Sequence, residues 1–264
     1  MTGGYIVNDF LFKQKDGSIG KIKTFFYIIK DEKYGTMLFD LGSPYFQQEA
    51  LDELKNKFDI LPEDVRWVFI THMHPDHIGL LAKFPNAKFV TSRAELEFYF
   101  KLGRRMLEGG RIVYILREAS PNYKMRYMNP EDDDDSLQDC LEQFWDNKMF
   151  DLPYLCYEDN PQIPDCVEII PAPGHYVFPL AYKIKRKYHD FLVTGDSFSS
   201  RMVFQQEPDS MNNEMQMFPK EYLETKAKFF PFDGIFMPGH DRPFISGTLK
   251  SLRKNIFDVD EKLF

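Results

Sequence analysis

The sequence predicts a mixed α/β (α+β) fold in which two β-sheets pack face to face and helices cover them. Two groups of strand-like segments carry this prediction, one before residue 92 and one after residue 166. Helix-like segments lie between and after the strands, as expected when helices cover the outer faces of packed sheets. A hydrophobic fraction of 43% is enough for such a core, and no short fixed period indicates a repeat protein.

The predicted strands are segments rich in β-branched and aromatic residues, separated by turn signals. Apolar residues at helical spacing, such as Leu51, Leu54 and Phe58, predict the helices. Strands are expected at 5–12, 23–30, 36–41, 65–71, 88–91, 167–171, 179–185, 191–194 and 234–237, and helices at 44–58, 78–84, 219–229 and 247–257.

The stretch at about 92–164 is predicted to be a helical insertion within a single domain that spans 1–264. Ser92 is followed three residues later by Glu95, and this capping box indicates that a helix begins there. Further helical patterns cover 112–119 and 136–147. No segment within the stretch has the composition of a linker that would make it an independent domain.

Charge and cysteine content narrow the class of protein. The net charge is −8 and the basic residues are scattered, which disfavours a nucleic-acid partner because such proteins present a basic face to phosphates. Cys140, Cys156 and Cys166 are odd in number and lack Cys-x-x-Cys spacing, so reduced thiols and a cytoplasmic location are expected. We expect no signal peptide in 1–12 and no membrane association, because no apolar run approaches the ~20 residues that span a bilayer.

The segment Thr71-His-Met-His-Pro-Asp-His-Ile-Gly79 is the strongest chemical signal in the chain. It places four candidate metal ligands, His72, His74, Asp76 and His77, within six residues after a predicted strand. Side chains at i and i+2 of extended backbone point the same way, so His72 and His74 can bind one ion. Imidazole and carboxylate suit zinc, iron or manganese. Three of the six histidines lie in this hexapeptide, which argues against histidines with no metal role.

Three further candidates follow predicted strands in the second half. They are His175 in Ala-Pro-Gly-His, Asp196 in Thr-Gly-Asp and His240 in Pro-Gly-His-Asp. A glycine directly before each candidate permits a sharp turn and a close backbone approach. The three strand ends can therefore deliver ligands to one shared edge, whereas His189 has no such context and is assigned to the surface.

This pattern resembles the metallo-β-lactamase superfamily. The matching elements are His72-x-His74-x-Asp76-His77, then His175, Asp196 and His240 in that order, over about residues 20–245 apart from the insertion. The resemblance implies a four-layer αββα sandwich and a metal-dependent hydrolase with a dinuclear centre. Asp40, in Phe-Asp-Leu-Gly, resembles an element of that superfamily that orients the metal ligands. The alternative is that Asp40 only forms a turn at the end of a strand.

Carried over to this sequence, the resemblance implies two divalent ions, with zinc preferred and iron or manganese as alternatives. His72, His74 and His175 would hold one ion, Asp76, His77 and His240 would hold the other, and Asp196 would bridge them. A hydroxide between the ions would attack the substrate. Asp76 and Asp196 would be the catalytic residues, with Asp76 handing a proton to the leaving group.

The resemblance also narrows the substrate to a small ester, lactone or thioester. The spacings from His175 to Asp196 and from Asp196 to His240 resemble those of the branch that contains the acyl-homoserine lactonases. That branch uses a tyrosine three residues after the bridging aspartate, where this chain has Ser199. Tyr176 is an alternative source of a phenol, or a packing residue. The thioester-cleaving glyoxalase II branch shares the metal motif but has a shorter stretch between His77 and His175.

Other functions remain open at this point. They are an iron-dependent oxidoreductase of the same fold, a metal-dependent phosphodiesterase or nuclease, and a scaffold that has lost activity. The expected partner is a small-molecule substrate, with a homodimer as an open alternative. The aromatic residues of the insertion could form a lid over the metals, a core or a dimer interface. They are Phe98, Tyr99, Phe100, Tyr114, Tyr123, Tyr127, Phe144 and Trp145.

Overall fold

The structure of the chain is a computed structural model, and it describes residues 2–13, 18–112, 115–116, 119, 136–209, 216–252 and 254–260. Tyr114, Tyr123, Tyr127 and half of the helix predicted at 112–119 lie outside these ranges. None of the helices in the described ranges is long and apolar enough to cross a bilayer.

The first sheet has seven strands in the order β12-β1-β2-β3-β4-β5-β6. Strands β1 to β3 form antiparallel pairs, whereas β3 to β6 run parallel to one another. The parallel strands therefore direct their carboxyl ends to one edge of the sheet. The strands are β1 Thr2–Lys13, β2 Ile19–Asp31, β3 Gly35–Phe39, β4 Val65–Phe69, β5 Lys88–Thr91, β6 Tyr154–Cys156 and β12 Ile256–Asp258.

The second sheet has five strands in the order β11-β10-β9-β8-β7. The central pair, β9 and β10, is parallel, and the outer pairs are antiparallel. The strands are β7 Val167–Pro171, β8 Leu180–Ile184, β9 Phe191–Gly195, β10 Ile235–Pro238 and β11 Phe244–Ile245.

The sheets and helices form four layers, with an apolar cluster between each pair of neighbouring layers. Between the sheets, Phe39 and Phe69 of the first sheet pack with Tyr182 of the second. The helices covering the first sheet are α1 Gln47–Phe58, α2 Arg93–Leu107 and α3 Ser136–Phe144, and those covering the second are α4 Arg201–Gln205 and α5 Pro219–Phe229. This arrangement confirms the predicted αββα sandwich.

The helix predicted at 78–84 is wrong. Within this range the chain forms one short 3₁₀ helix at Leu81–Lys83, and another at Pro75–His77 precedes it. Gly79 donates its backbone N–H to the carbonyl of Gly42 in the loop after β3, and not to a carbonyl of the preceding turn as in an α-helix. A Cβ atom on Gly79 would lie 2.3 Å from the backbone of Ser43, which shows how closely the two loops approach.

The closing helix predicted at 247–257 is also wrong. Leu249 has a φ of 56°, a left-handed conformation that interrupts a right-handed helix. The following residues instead form β12, which pairs with the start of β1. Phe257 is buried against Phe191, so the apolar spacing reflects packing of a strand on the inter-sheet core.

In its described residues, the stretch at 92–164 contains the helices α2 and α3, and its end contributes to the sheet. Tyr154–Cys156 forms β6, which pairs in parallel with β5. Phe100 and Trp145 pack against Phe150, Tyr99 packs against Trp145, and Tyr99, Phe100 and Trp145 all pack in the apolar cluster of the first sheet and its helices. These described aromatic side chains therefore extend the core of the outer layer.

Candidate metal centre

The candidate ligands emerge from strand ends that meet at one edge of the sandwich. His72 and His74 follow β4 in extended backbone, and Asp76 and His77 lie on the 3₁₀ turn that begins at Pro75. His175, Asp196 and His240 follow β7, β9 and β10. The structure thus brings together all seven side chains that the sequence singles out, although they are up to 168 positions apart.

Four of these residues form the first group: His72, His74, His175 and Asp196. His72 Nε2 lies 2.9 Å from His74 Nδ1, which in turn lies 3.2 Å from His175 Nε2. Four nitrogen ligands held tetrahedrally at the usual zinc distance are separated by about 3.3 Å. The spacing of these ring nitrogens is therefore that of ligands around one small cation.

Asp76, His77 and His240 form the second group. Asp76 Oδ2 lies 3.6 Å from the Nε2 atoms of both histidines. Asp196 lies between the groups, with Oδ1 3.4 Å from His77 Nε2, and Oδ2 3.3 Å from His175 Nε2 and 3.1 Å from His240 Nε2. One carboxylate thus faces both clusters.

Two buried polar atoms in this cluster lack a hydrogen-bond partner among the described residues. They are His77 Nε2 and Asp196 Oδ1. Leaving a buried polar atom unpaired costs about 1–3 kcal/mol, so native proteins rarely do so without another partner. A divalent cation would satisfy both atoms. The two groups could therefore hold divalent metal ions, and the donor set fits them.

Burial keeps three of the histidines neutral. It holds the pKa values of His72 and His74 well below the usual range, with neighbouring histidines adding to the effect. It also lowers the pKa of His175, where Asp196 opposes it. Only a neutral imidazole has a nitrogen lone pair to offer a cation, so these three rings are in the form that ligation requires.

The carboxylates have the opposite effect on His77 and His240. Burial lowers the pKa of each ring, but Asp76 and Asp196 outweigh it and raise both pKa values. Burial likewise raises the pKa of Asp196, but the three facing histidines outweigh it and hold that pKa well below its usual range. The candidate centre thus combines neutral rings with charged groups.

The outward ring nitrogens of four histidines have fixed partners. Nδ1 of His77 lies 2.8 Å from Asp40, Nδ1 of His72 3.0 Å from the Thr71 hydroxyl, Nδ1 of His175 3.1 Å from Gln216 Oε1, and Nδ1 of His240 2.8 Å from the Lys23 carbonyl. Such partners select the tautomer that leaves Nε2 for a metal. Asp40 was expected in this role, whereas Gln216 and Lys23 were not.

Glu95 contacts two loops of the candidate centre, whereas the sequence presented it only as part of a helix cap. Its fully buried carboxylate accepts the backbone N–H of Met73 at 3.0 Å and that of Phe178 at 2.7 Å. Ser92 caps the same helix and donates its hydroxyl to the Phe178 carbonyl. The start of α2 therefore joins the loop carrying His72 and His74 to the loop that follows His175.

Glycines let the loops approach the cluster closely. Gly195 has a φ of 49°, and a Cβ atom there would lie 2.4 Å from the Thr71 hydroxyl. A Cβ atom on Gly239 would lie 2.4 Å from Asp196 Oδ1 and 2.8 Å from His77 Cε1. Both positions thus need glycine, for the backbone conformation at Gly195 and for space at Gly239.

The remaining sequence candidates lie around the cluster. Tyr176 is buried, with its ring centroid 4.1 Å from that of His74 and 5.6 Å from that of Phe98. Ser199 accepts the backbone N–H of His240 through its carbonyl oxygen. His189 lies outside both groups, in the connection between β8 and β9, and is half-buried.

Sequence comparison finds one matching family and several relatives. The profile of the metallo-beta-lactamase superfamily matches residues 20–155, just over half of the chain. The N-acyl homoserine lactonase AttM of Agrobacterium fabrum is 35% identical over 89 residues, which are 33% of this chain and 32% of the relative. Metallo-beta-lactamase domain-containing protein 1 of Mus musculus is 41% identical over 58 residues, 22% of each chain. These matches span a third or less of the curated relatives.

Solved structures with the same fold cover nearly the whole chain. An N-acyl homoserine lactone hydrolase with N-hexanoyl-L-homoserine bound at its catalytic metal centre has a TM-score of 0.60 and 17% identity, covering 91% of this chain and 93% of that one. The dizinc quorum-quenching lactonase AidC has a TM-score of 0.61 and 18% identity, covering 99% and 92%. At these identities the likeness establishes the fold alone.

Proposed function

The chain belongs to the metallo-beta-lactamase superfamily, and from that premise we propose that it is a hydrolase using two divalent metal ions, with zinc as the preferred metal, to cleave a small ester, lactone or thioester. One observation carries the proposal. Two groups of candidate ligands adjoin one another and share the Asp196 carboxylate, which faces His77, His175 and His240 at 3.1 to 3.4 Å.

Each group offers a donor set suited to a hard or borderline cation. His72, His74 and His175 would hold one ion, Asp76, His77 and His240 would hold the other, and Asp196 would contact both. Two such ions, when bound, supply a water nucleophile near neutral pH and electrostatic stabilisation for the oxygen that gains charge. The protein would contribute a dry, fixed cluster, since His72 and His77 are fully buried.

The side chains around the centre would supply orientation and a proton. Asp40 and Gln216 hold the rings of His77 and His175. We assign Asp76 to move a proton to the leaving group, because its carboxylate faces only His77 and His240, whereas the Asp196 carboxylate faces both groups. General acid catalysis of this kind typically contributes ~10²–10⁴-fold in rate.

The relatives support a carboxylic ester or lactone as the substrate class. AttM is an N-acyl homoserine lactonase, and one structural neighbour holds the ring-opened product of such a lactone at its metal centre. Ser199 stands where that branch has a tyrosine, and its carbonyl oxygen is occupied by His240. We therefore propose the wider class of small esters, lactones and thioesters for this chain.

A substrate panel tests the proposal. Metal-loaded protein would be assayed with an N-acyl homoserine lactone, a 4-nitrophenyl ester, an acyl thioester and bis(4-nitrophenyl) phosphate. We expect turnover of at least one of the first three, abolished by His72→Ala and retained by His189→Ala, a histidine outside both groups. Turnover of the phosphodiester alone, or redox activity without hydrolysis, would contradict the proposal.

A further inference from the structure

A cavity of about 500 Å³ adjoins the candidate metal centre on the side of His240. The walls include Lys23 on β2, Arg201 at the start of α4, and Arg242 in the loop after β10. Val7 and Phe25 add apolar surface beneath these cations. The cavity is large enough for several non-hydrogen atoms of a small substrate.

The cavity is positively charged in a chain whose net charge is −8. Asp241 is the acidic residue in its lining, and Arg201 already neutralises it through Nε and Nη2 at 2.8 and 3.2 Å. Among the described residues, no carboxylate lies within ion-pair distance of Lys23 Nζ or of the Arg242 guanidinium. Two cations of the lining are therefore available to a ligand.

The geometry fixes one of the cations and leaves the others adaptable. Asp241 accepts both the backbone N–H and the side chain of Arg201, so this guanidinium is held in one orientation. Arg242 and Lys23 are exposed and can adjust to a bound group. Guanidinium groups bind carboxylate and phosphate through paired N–H donors, which gives direction as well as charge.

His240 belongs both to the lining of this cavity and to the second group of candidate ligands. Its Nε2 lies 3.1 Å from Asp196, and its Nδ1 lies 2.8 Å from the carbonyl of Lys23. Because His240 is shared, the cations adjoin the centre, and a substituent that reaches past His240 from a scissile bond at the centre would meet them. The cations surround a cavity and not an extended face, which favours a small anion over a nucleic acid.

We propose that this cavity binds an anionic group of the substrate, a carboxylate or a phosphate, while the scissile ester, lactone or thioester lies at the metal centre. The inference rests on the proposed function for the position of the scissile bond. It goes beyond that function by specifying an acidic substituent, which neither the metal ligands nor the fold determines.

A first experiment measures the preference for a charged substrate. The probes are 4-nitrophenyl pentanoate, the matched mono-4-nitrophenyl glutarate, and a 4-nitrophenyl butanoate bearing a terminal phosphate. The ratio of kcat/KM for the charged over the neutral ester should exceed one for the wild type. It should fall about tenfold in Arg242→Gln or Lys23→Gln, as expected for loss of one charged hydrogen bond at a partly exposed site.

Lys21→Gln is the matched control. Lys21 lies two residues from Lys23 on the same strand and outside the lining of this cavity, and it pairs with Asp9 at 3.3 Å. The ratio should stay within about twofold of wild type in this variant. The preference for the charged ester should also shrink in high salt, because exposed charges are screened. An unchanged ratio in both Arg242→Gln and Lys23→Gln would overturn the inference.

A second experiment measures binding without turnover. Calorimetric titration of the metal-loaded wild type, Arg242→Gln and Lys21→Gln with glutarate and with propyl phosphate separates carboxylate from phosphate. We expect about tenfold weaker binding of the preferred anion in Arg242→Gln only. If Arg242→Gln loses anion binding but the wild type hydrolyses none of the esters, the proposed function is rejected and the anion site is kept. Ester turnover with equal anion affinity in all three proteins would reject the anion site and keep the function.

Discussion

Asp40 Oδ2 lies 2.8 Å from Nδ1 of His77, and both side chains are almost completely buried. The same carboxylate accepts the backbone N–H of Thr71 at 2.7 Å and its hydroxyl at 2.9 Å. Asp40 thus holds both Thr71, at the start of the loop that carries His72 and His74, and the ring of His77, near the end of that loop. With Nδ1 held by Asp40, Nε2 is the ring nitrogen of His77 that faces Asp76 and Asp196.

Asp40→Asn should weaken metal binding while the protein stays folded. The φ of 57° at this position is well tolerated by asparagine, but an amide nitrogen facing His77 would favour the tautomer that protonates Nε2. We expect metal affinity to fall about 10- to 100-fold, measured by competition with a chelator. Asp31→Asn is the control, because that buried aspartate pairs with Arg186 away from the centre and should leave metal affinity near wild type.

Gly239→Ala should disturb the candidate centre by a steric clash, without removing any candidate ligand. The new methyl group would lie 2.4 Å from Asp196 Oδ1, so the carboxylate that faces both groups must move. We expect lower metal occupancy and activity with little loss of secondary structure. Gly247→Ala is the matched control, since its Cβ would meet nothing within 4 Å. Equal metal content in the two variants would show that the Asp196 position is not critical.

Glu95 should make stability depend on pH. Burial raises the pKa of its carboxyl group from 4.5 to about 7, although backbone N–H groups of Met73, Val177 and Phe178 oppose the shift. The folded state therefore binds the proton more tightly than the unfolded state. This contribution to stability is present in full below pH 4.5 and is lost as the pH rises through 7, a change of about 3 kcal/mol.

The test compares urea unfolding of chelator-treated wild type and Glu95→Gln across this pH range. The stability of the wild type relative to Glu95→Gln should decrease from pH 5 to pH 8, because glutamine does not titrate. Glu97→Gln, on the exposed face of the same helix, should track the wild type at every pH. A difference between wild type and Glu95→Gln that does not change with pH would contradict the assignment.

Asp76→Asn should separate proton transfer from metal binding. Asparagine keeps an oxygen that can still coordinate, but it removes the group that titrates. We expect kcat for an alkyl ester to fall by ~10²–10⁴ with a smaller loss of metal. The loss should be smaller for a 4-nitrophenyl ester, whose leaving group needs little protonation. If kcat falls equally for both esters at equal metal occupancy, Asp76 acts only as a metal ligand and does not transfer a proton.

The seven residues that meet in the candidate metal centre could be singled out from the sequence because they follow local rules. His72, His74, Asp76 and His77 lie within one short segment, and His175, Asp196 and His240 each follow a glycine at a strand end. Strand ends on one side of a sheet lie at a common edge, which brings such residues together. The helix at 219–229 was predictable for a similar reason, since its buried face repeats at helical spacing.

The supporting contacts were not predictable because they join distant parts of the chain. Glu95 reaches a loop 83 residues away, Gln216 reaches His175 over 41 residues, and the Lys23 carbonyl reaches His240 over 217 residues. The helices predicted at 78–84 and 247–257 failed for the same reason. Their backbone groups bond to the loop after β3 and to β1, which outweighs local helical spacing.

Metal stoichiometry tests the central claim most directly. Wild-type protein dialysed against zinc and freed of excess metal would be measured by atomic spectroscopy, alongside His72→Ala, His240→Ala and His189→Ala. We predict close to two ions per chain for the wild type and for His189→Ala, and fewer for His72→Ala and His240→Ala, which each remove a ligand from a different group. Folded wild-type protein that retains no zinc, iron or manganese after loading with each would contradict the account.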